Sequence, residues 1–131
     1  GTSWAGVETV RATEKRDLGK ASLGSLFWDW GIPTAAALVE VRDAVHVPLI
    51  ASGGLRNGLE VAKCISLGAD VCGMARPMLE SASRGRRALE GFAEQTLLEL
   101  RASMFVTGAR TVSELKAVRK VITPPLTYWV D

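Results

Sequence analysis

A chain of 131 residues with a formal charge of +2 has room for one domain at most, and its charge is too small to imply nucleic acid by itself. Its 47% hydrophobic and 23% charged content is that of a folded domain and not of a disordered segment. No apolar run approaches the roughly 20 residues of a membrane span, and no signal-peptide pattern is visible.

Residues 1–31 lack sustained periodicity, and the mixture of Lys, Arg, Gly and Ser from Lys15 to Ser25 reads as a long loop. Phe27, Trp28 and Trp30 follow. Their spacing reads first as packing, then as a stacking platform or a protein interface. Thr34 to Val45 reads as a helix with Pro33 near its first turn and an apolar stripe of Leu38, Val41 and Val45. Pro48–Ser52 reads as a buried strand. The helix after it begins at Asn57 with Glu60 three residues on, a capping-box-like start, and closes at Gly68. A second strand spans Asp70–Met74, and a short helical turn follows Pro77. A long helix from about Arg86 to Val106 should turn Leu89, Phe92, Ala93, Leu97, Leu100 and Met104 to the core. Thr111 with Glu114 caps a last helix through about Arg119, and residues 121–131, with Pro124-Pro125, read as an extended tail.

Both predicted strands end in glycine, at Ser52-Gly53-Gly54 and at Gly73-Met74-Ala75-Arg76. Parallel strands joined by one right-handed crossover bring those ends to the same side of a sheet. Glycine lets a backbone N–H approach a bound oxygen closely, so two such loops side by side form a phosphate cradle. In (β/α)8 barrels this cradle is made by the loops after strands seven and eight. The expected class is therefore α/β: the C-terminal part of a TIM barrel, about the last two strands with their helices. A complete barrel needs roughly 250 residues, and this chain opens on Gly1 without a Met. A single partial domain over 1–131 is expected.

Each feature also has a plainer reading. Gly53-Gly54 would serve a tight turn with positive φ. Arg76, biased toward extended backbone by Pro77, would be a solvated charge or an ion-pair partner instead of a phosphate contact. Thr2 and Ser3 would cap a helix starting at Trp4, a role compatible with anion binding. Arg84, Arg86 and Arg87 read as a solvated helix face. Cys64 and Cys72 read as buried free thiols of a reducing cytoplasm. His46, the only histidine, precedes a strand, at the end of a barrel opposite its active site, and a zinc site built by this chain is not expected.

The opening Gly-Thr-Ser-Trp, the segment Asp29-Trp30-Gly31-Ile32-Pro33-Thr34-Ala35, Ala51-Ser52-Gly53-Gly54-Leu55-Arg56-Asn57-Gly58, Leu67-Gly68-Ala69, Gly73-Met74-Ala75 and Met104-Phe105-Val106-Thr107-Gly108-Ala109-Arg110 occur in an order that resembles the C-terminal portion of type 2 isopentenyl-diphosphate isomerases. The Asp-Trp-Gly-Ile-Pro-Thr segment with the Gly-Thr-Ser opening is the specific part, since many FMN barrels share the glycine pair.

The resemblance implies an FMN-dependent enzyme that interconverts isopentenyl diphosphate and dimethylallyl diphosphate, using Mg2+ and flavin reduced by NADPH. It implies a cytoplasmic homo-oligomer when full length, with no nucleic-acid or membrane partner. Carried over position by position, Thr2 would reach the cofactor, Gly53 and Gly54 would give amides to its phosphate, and Ala75 and Arg76 would flank it. The family's Gln-Glu pair for substrate and Mg2+, its flavin-facing Lys and Asn, and its diphosphate-binding Arg and Lys would lie upstream of Gly1. No catalytic or metal-binding residue is therefore expected in this chain, and no turnover by it alone. Two other readings stay open: another FMN barrel of the 2-hydroxy-acid oxidase kind, disfavoured by the position of His46, and a non-catalytic truncated module.

Overall fold

The structure, a computed structural model describing residues 3–130, divides after Pro33 into two units. The first is a pair of helices, α1 (Trp4–Glu14) and α2 (Leu18–Leu26). Ser3 caps α1 by accepting from the Gly6 amide at 3.0 Å and donates its own hydroxyl to the Trp28 carbonyl at 3.0 Å. Asp17 caps α2 by accepting from the Lys20 amide, after a left-handed turn at Arg16 (φ 58). The expected loop over Lys15–Ser25 is thus mostly helix. Of the glycines that suggested a loop, Gly24 serves packing instead: a Cβ on buried Gly24 would lie 2.2 Å from Thr9 Oγ1 and 2.9 Å from the Ala5 carbonyl, so the two helices cross where only glycine fits. This unit buries only Gly6, Ala12 and Gly24 among its described residues, too little to cover large rings. Phe27 and Trp30 pack edge to face at 5.6 Å, yet Trp28 and Trp30 are 51% and 81% exposed, so the packing read first for this segment is only partial.

The second unit is built on one strand–helix–strand crossover. Strands β1 (Ile50–Ser52) and β2 (Val71–Gly73) pair in parallel with Ile50 opposite Val71, Ala51 opposite Cys72 and Ser52 opposite Gly73. Each is shorter than its predicted run. Between them α4 (Gly58–Ser66) starts where Asn57 Oδ1 accepts from the Glu60 amide at 2.9 Å. The Glu60 carboxylate reaches back to the Arg56 amide at 2.6 Å, one residue beyond the usual capping box. Gly68 (φ +113) turns the chain out of α4 into β2. Val61, Ala62, Cys64 and Ile65 of α4 are buried, joined in the core by Leu38 of α3 (Thr34–Ala44) and by Ala51. Val41, expected in the stripe of α3, is 44% exposed.

Helix α5 (Arg76–Ser83) follows β2, and α6 (Arg86–Thr107) packs across the start of α4. The Gly58 amide donates to Glu99 Oε2 at 2.7 Å there. The buried stripe of α6 differs from expectation at one step: Thr96 is buried, with its hydroxyl on the Phe92 carbonyl at 2.9 Å, while Leu97 is 52% exposed. At about 3.6 residues per turn Thr96 falls near the centre of the stripe and Leu97 at its edge. Gly108 (φ 74) ends the helix, and α7 (Val112–Ala117) is capped by Thr111, whose hydroxyl accepts from the Glu114 amide at 3.1 Å. The tail, expected to be extended, carries a 3-10 turn at Leu126–Tyr128.

The N-terminal ends of both strands are tied by charge. Asp70 accepts from the Leu49 amide at 2.8 Å, from Arg42 Nη1 at 3.2 Å and from the Lys116 ammonium. Arg42 also donates to the carbonyls of Val45 and Val47, each at 2.7 Å. The Lys116 ammonium, with the Leu49 amide, holds the Asp70 carboxyl well below the usual carboxylate range, at about 2.

Candidate functional site

The opposite, C-terminal ends of the strands lie side by side because Ser52 is in register with Gly73. Beyond Ser52 the chain takes two consecutive positive-φ residues, Gly53 (φ 105) and Gly54 (φ 82). Side chains other than glycine adopt that backbone only under strain. Two hydroxyls hold the loops: Thr34 Oγ1 donates to the Gly53 carbonyl at 2.9 Å, and Ser52 Oγ donates to the Gly73 carbonyl at 3.3 Å. Beyond Gly73, Ala75 precedes the first turn of α5, which holds Pro77 and no acidic residue. Among the described residues, the amides of Gly54 and Ala75 donate to no backbone acceptor outside the helices and strands. Unused amides at a glycine loop and at the positive end of a helix are the donor set that a phosphate monoester takes. The residues present therefore fit the phosphate of a flavin mononucleotide.

The predicted site residues divide as follows. Gly53 and Gly54 line one groove of about 630 Å³ with Thr34, Leu55 and Lys63, a size ordinary for ligand sites; Ala75 and Arg76 do not line it. Arg76 departs from the extended backbone expected before Pro77 and is the first residue of α5, because proline is well tolerated in a helix's first turn. Its guanidinium forms an i,i+4 pair with Glu80 (Nε to Oε1 2.7 Å) and is 87% exposed. Thr2 lies outside the described residues. Thr34 belongs to the site although the sequence marks it only as a helix start and as part of the resembling Asp29–Ala35 segment; its bond to Gly53 crosses 19 residues and no local signal shows it.

Other chemistry-bearing side chains lie apart from this site. Cys64 is buried and Cys72 half-buried. The neighbouring Cys64 and burial push the Cys72 thiol upward, away from the thiolate a nucleophile needs. His46 precedes β1, at the other end of the strands. Arg86 pairs with Glu90 at 2.7 Å on an exposed helix face. Among the described residues no three His, Cys, Asp or Glu side chains converge on a point that could hold a metal ion. None of their helices is long and apolar enough to cross a membrane.

The family of FMN-dependent dehydrogenases matches residues 26–121. The chain belongs to that family. As a member of the FMN-dependent dehydrogenases it has an α/β architecture of the TIM-barrel type, with the β1–α4–β2 unit and its two glycine-bearing ends inside the matched segment. It is similar over its whole length to proteins named isopentenyl-diphosphate delta-isomerase. The identity is 48% over 135 residues for that of Methanothermobacter thermautotrophicus, 48% over 132 for that of Sulfurisphaera tokodaii and 43% over 136 for that of Pyrococcus furiosus. The chain spans 36%, 36% and 33% of those relatives' lengths. Among solved structures it resembles a GMP reductase from Trypanosoma brucei in complex with guanosine 5'-triphosphate. That likeness has a TM-score of 0.59 and 27% identity, over 76% of this chain and 24% of the other.

Proposed function

We propose that this chain supplies the cofactor-phosphate part of the flavin site in a type 2 isopentenyl-diphosphate isomerase, which interconverts isopentenyl and dimethylallyl diphosphate with Mg2+ and FMN reduced by NADPH. The observation that carries the reading is the whole-length similarity to isomerases combined with the paired strand ends, where among the described residues the amides of Gly54 and Ala75 meet no backbone acceptor outside the helices and strands. Gly53 and Gly54 hold the phosphate through backbone N–H groups. Ala75 and the start of α5 close its other side, and Arg76 adds charge on leaving Glu80. Thr2 is assigned to the flavin by resemblance. Bound there, reduced flavin would supply proton transfer at the substrate's double bond.

The partial-barrel reading draws support from the sheet itself. Ala51 faces α4 and is buried, but Ile50 and Val71 are 71% and 54% exposed on the other face. Parallel sheets are ordinarily covered on both faces. The remaining strands, the Mg2+ ligands and the flavin-facing catalytic groups are assigned to residues outside this chain, and the whole enzyme to a cytoplasmic homo-oligomer.

The test is made on the full-length protein. Anaerobic conversion of isopentenyl to dimethylallyl diphosphate is expected only with FMN, NADPH and Mg2+ together, and the 131-residue chain alone is expected to be inactive. A second reading is a flavin-dependent oxidation, of a 2-hydroxy acid for example, which the family's description as FMN-dependent dehydrogenases supports. Flavin-dependent oxygen consumption with such an acid, and no isomerisation, would replace the first reading with it.

A further inference from the structure

The hydrogen bond from Thr34 to Gly53 has a consequence one atom further along the chain. In a trans peptide the carbonyl and the following N–H lie in one plane and point in opposite directions. Thr34, at the start of α3, donates to the Gly53 carbonyl at 2.9 Å and so holds that oxygen toward α3. The Gly54 N–H, in the same peptide, is thereby turned the other way, on an exposed residue, and among the described residues it donates to no backbone acceptor outside the helices and strands. With positive φ on both sides of this peptide and no side chain on either glycine, nothing in the loop's own covalent structure fixes the plane; flipping it would exchange the donor for an acceptor. The bond is part-buried, where a hydroxyl–carbonyl contact competes with water less than on an open surface.

We infer that Thr34 is a positioning residue for the anion site: its hydroxyl sets the Gly53–Gly54 peptide so that an N–H, and not a C=O, meets the phosphate of the ligand. The inference rests on the phosphate reading above, and its test separates the two. Full-length apoprotein is titrated with FMN and with riboflavin, which has the same ring system but no phosphate, following the quenching of flavin fluorescence. The unsubstituted protein should prefer FMN. Thr34→Val keeps the side chain's shape and removes the donor; it should weaken FMN binding by about three- to tenfold and leave riboflavin unchanged. Thr34→Ser should restore the preference. Should the valine variant fold poorly, Thr34→Ala serves as the second hydroxyl-free variant. A valine or alanine variant that keeps the full preference for FMN, or that weakens both flavins in parallel, overturns the role of Thr34. An unsubstituted protein that binds the two flavins equally well overturns the phosphate reading itself.

Discussion

Gly58→Ala tests the packing that fixes the crossover behind the glycine loops. A Cβ at Gly58 would stand 2.2 Å from the Thr96 carbonyl oxygen, 2.5 Å from the Leu100 amide nitrogen and 2.7 Å from Glu99 Cβ. Two of these three are backbone atoms of α6, so no rotamer change relieves them, and α4 must move off α6. Overpacking of this kind costs about 1–3 kcal/mol, and an immovable helix backbone puts this site at the upper end. The gain from replacing a helical glycine is at most about 1 kcal/mol, less at the first helical position. The net expectation is a loss of about 2 kcal/mol. The matched control is Gly91→Ala, in the exposed middle of α6, where an added Cβ meets nothing within 4 Å. The same chemical change should there stabilise by about 0.5–1 kcal/mol. Urea unfolding followed by circular dichroism reads both: at about 2 kcal/mol per molar urea, the midpoints should move by about 1 M down and by a few tenths of a molar up. If Gly58→Ala is as stable as the parent, the close approach of α4 to α6 is not present in solution.

Asp70→Asn removes a carboxylate whose pKa is held at about 2 by Lys116, the Leu49 amide and Arg42. An ordinary aspartate titrates near 3.9. A depressed carboxylate pKa contributes stability that is complete above the unfolded value and lost as pH falls through the folded one. The parent should therefore lose stability between about pH 4 and pH 2. The asparagine variant should be less stable at pH 7 and show a flatter profile in that window; identical profiles would refute the clamp. Arg76→Gln breaks only an exposed pair with Glu80, worth about 0–1 kcal/mol, so melting should hardly change. If Arg76 reaches the phosphate, FMN affinity falls while riboflavin affinity does not. Gly24→Ala should loosen the α1–α2 pair, seen as faster amide exchange in α2; unchanged protection would mean that Thr9 and Ala5 have room for the methyl group.

What the sequence disclosed depended on the reach of each interaction. Asn57 with Glu60 and Thr111 with Glu114 span three residues, so the starts of α4 and α7 were legible in the letters. Gly108 ended α6 for an equally local reason, its left-handed backbone. By contrast, Lys116 meets Asp70 across 46 residues, Arg42 meets it across 28, and Thr34 meets Gly53 across 19. No spacing rule covers these. Gly24 misled because glycine has two unrelated uses. Its loop use is a backbone preference visible in sequence, whereas its close-packing use depends on which helix crosses at that point. Leu97 misled because helical spacing admits it at the edge of the stripe, whereas Thr96 holds the centre by satisfying its hydroxyl within its own helix.

The two ends of the β1–β2 pair are built on opposite electrostatic principles, and that contrast bears on which end takes a ligand. At the N-terminal end the Asp70 carboxylate meets two cations and an amide, and Arg42 donates to two further carbonyls. The charged groups there are already engaged with one another and with the backbone, and a ligand would have to break those bonds to enter. At the C-terminal end the side-chain hydroxyls of Thr34 and Ser52 take up carbonyl oxygens, not amides. Each such bond removes an acceptor from the strand end and none removes a donor. The amides of Gly54 and Ala75 remain without a backbone acceptor outside the helices and strands among the described residues, and free donors next to a helix start favour an anion. It follows that the two sets of variants should separate. Changes at Asp70 or Arg42 should shift acid stability and leave the preference for FMN over riboflavin alone, and removal of the Thr34 hydroxyl should do the reverse. A protein in which both properties moved together under either change would have a single coupled strand layer, with no division between a clamped end and a binding end.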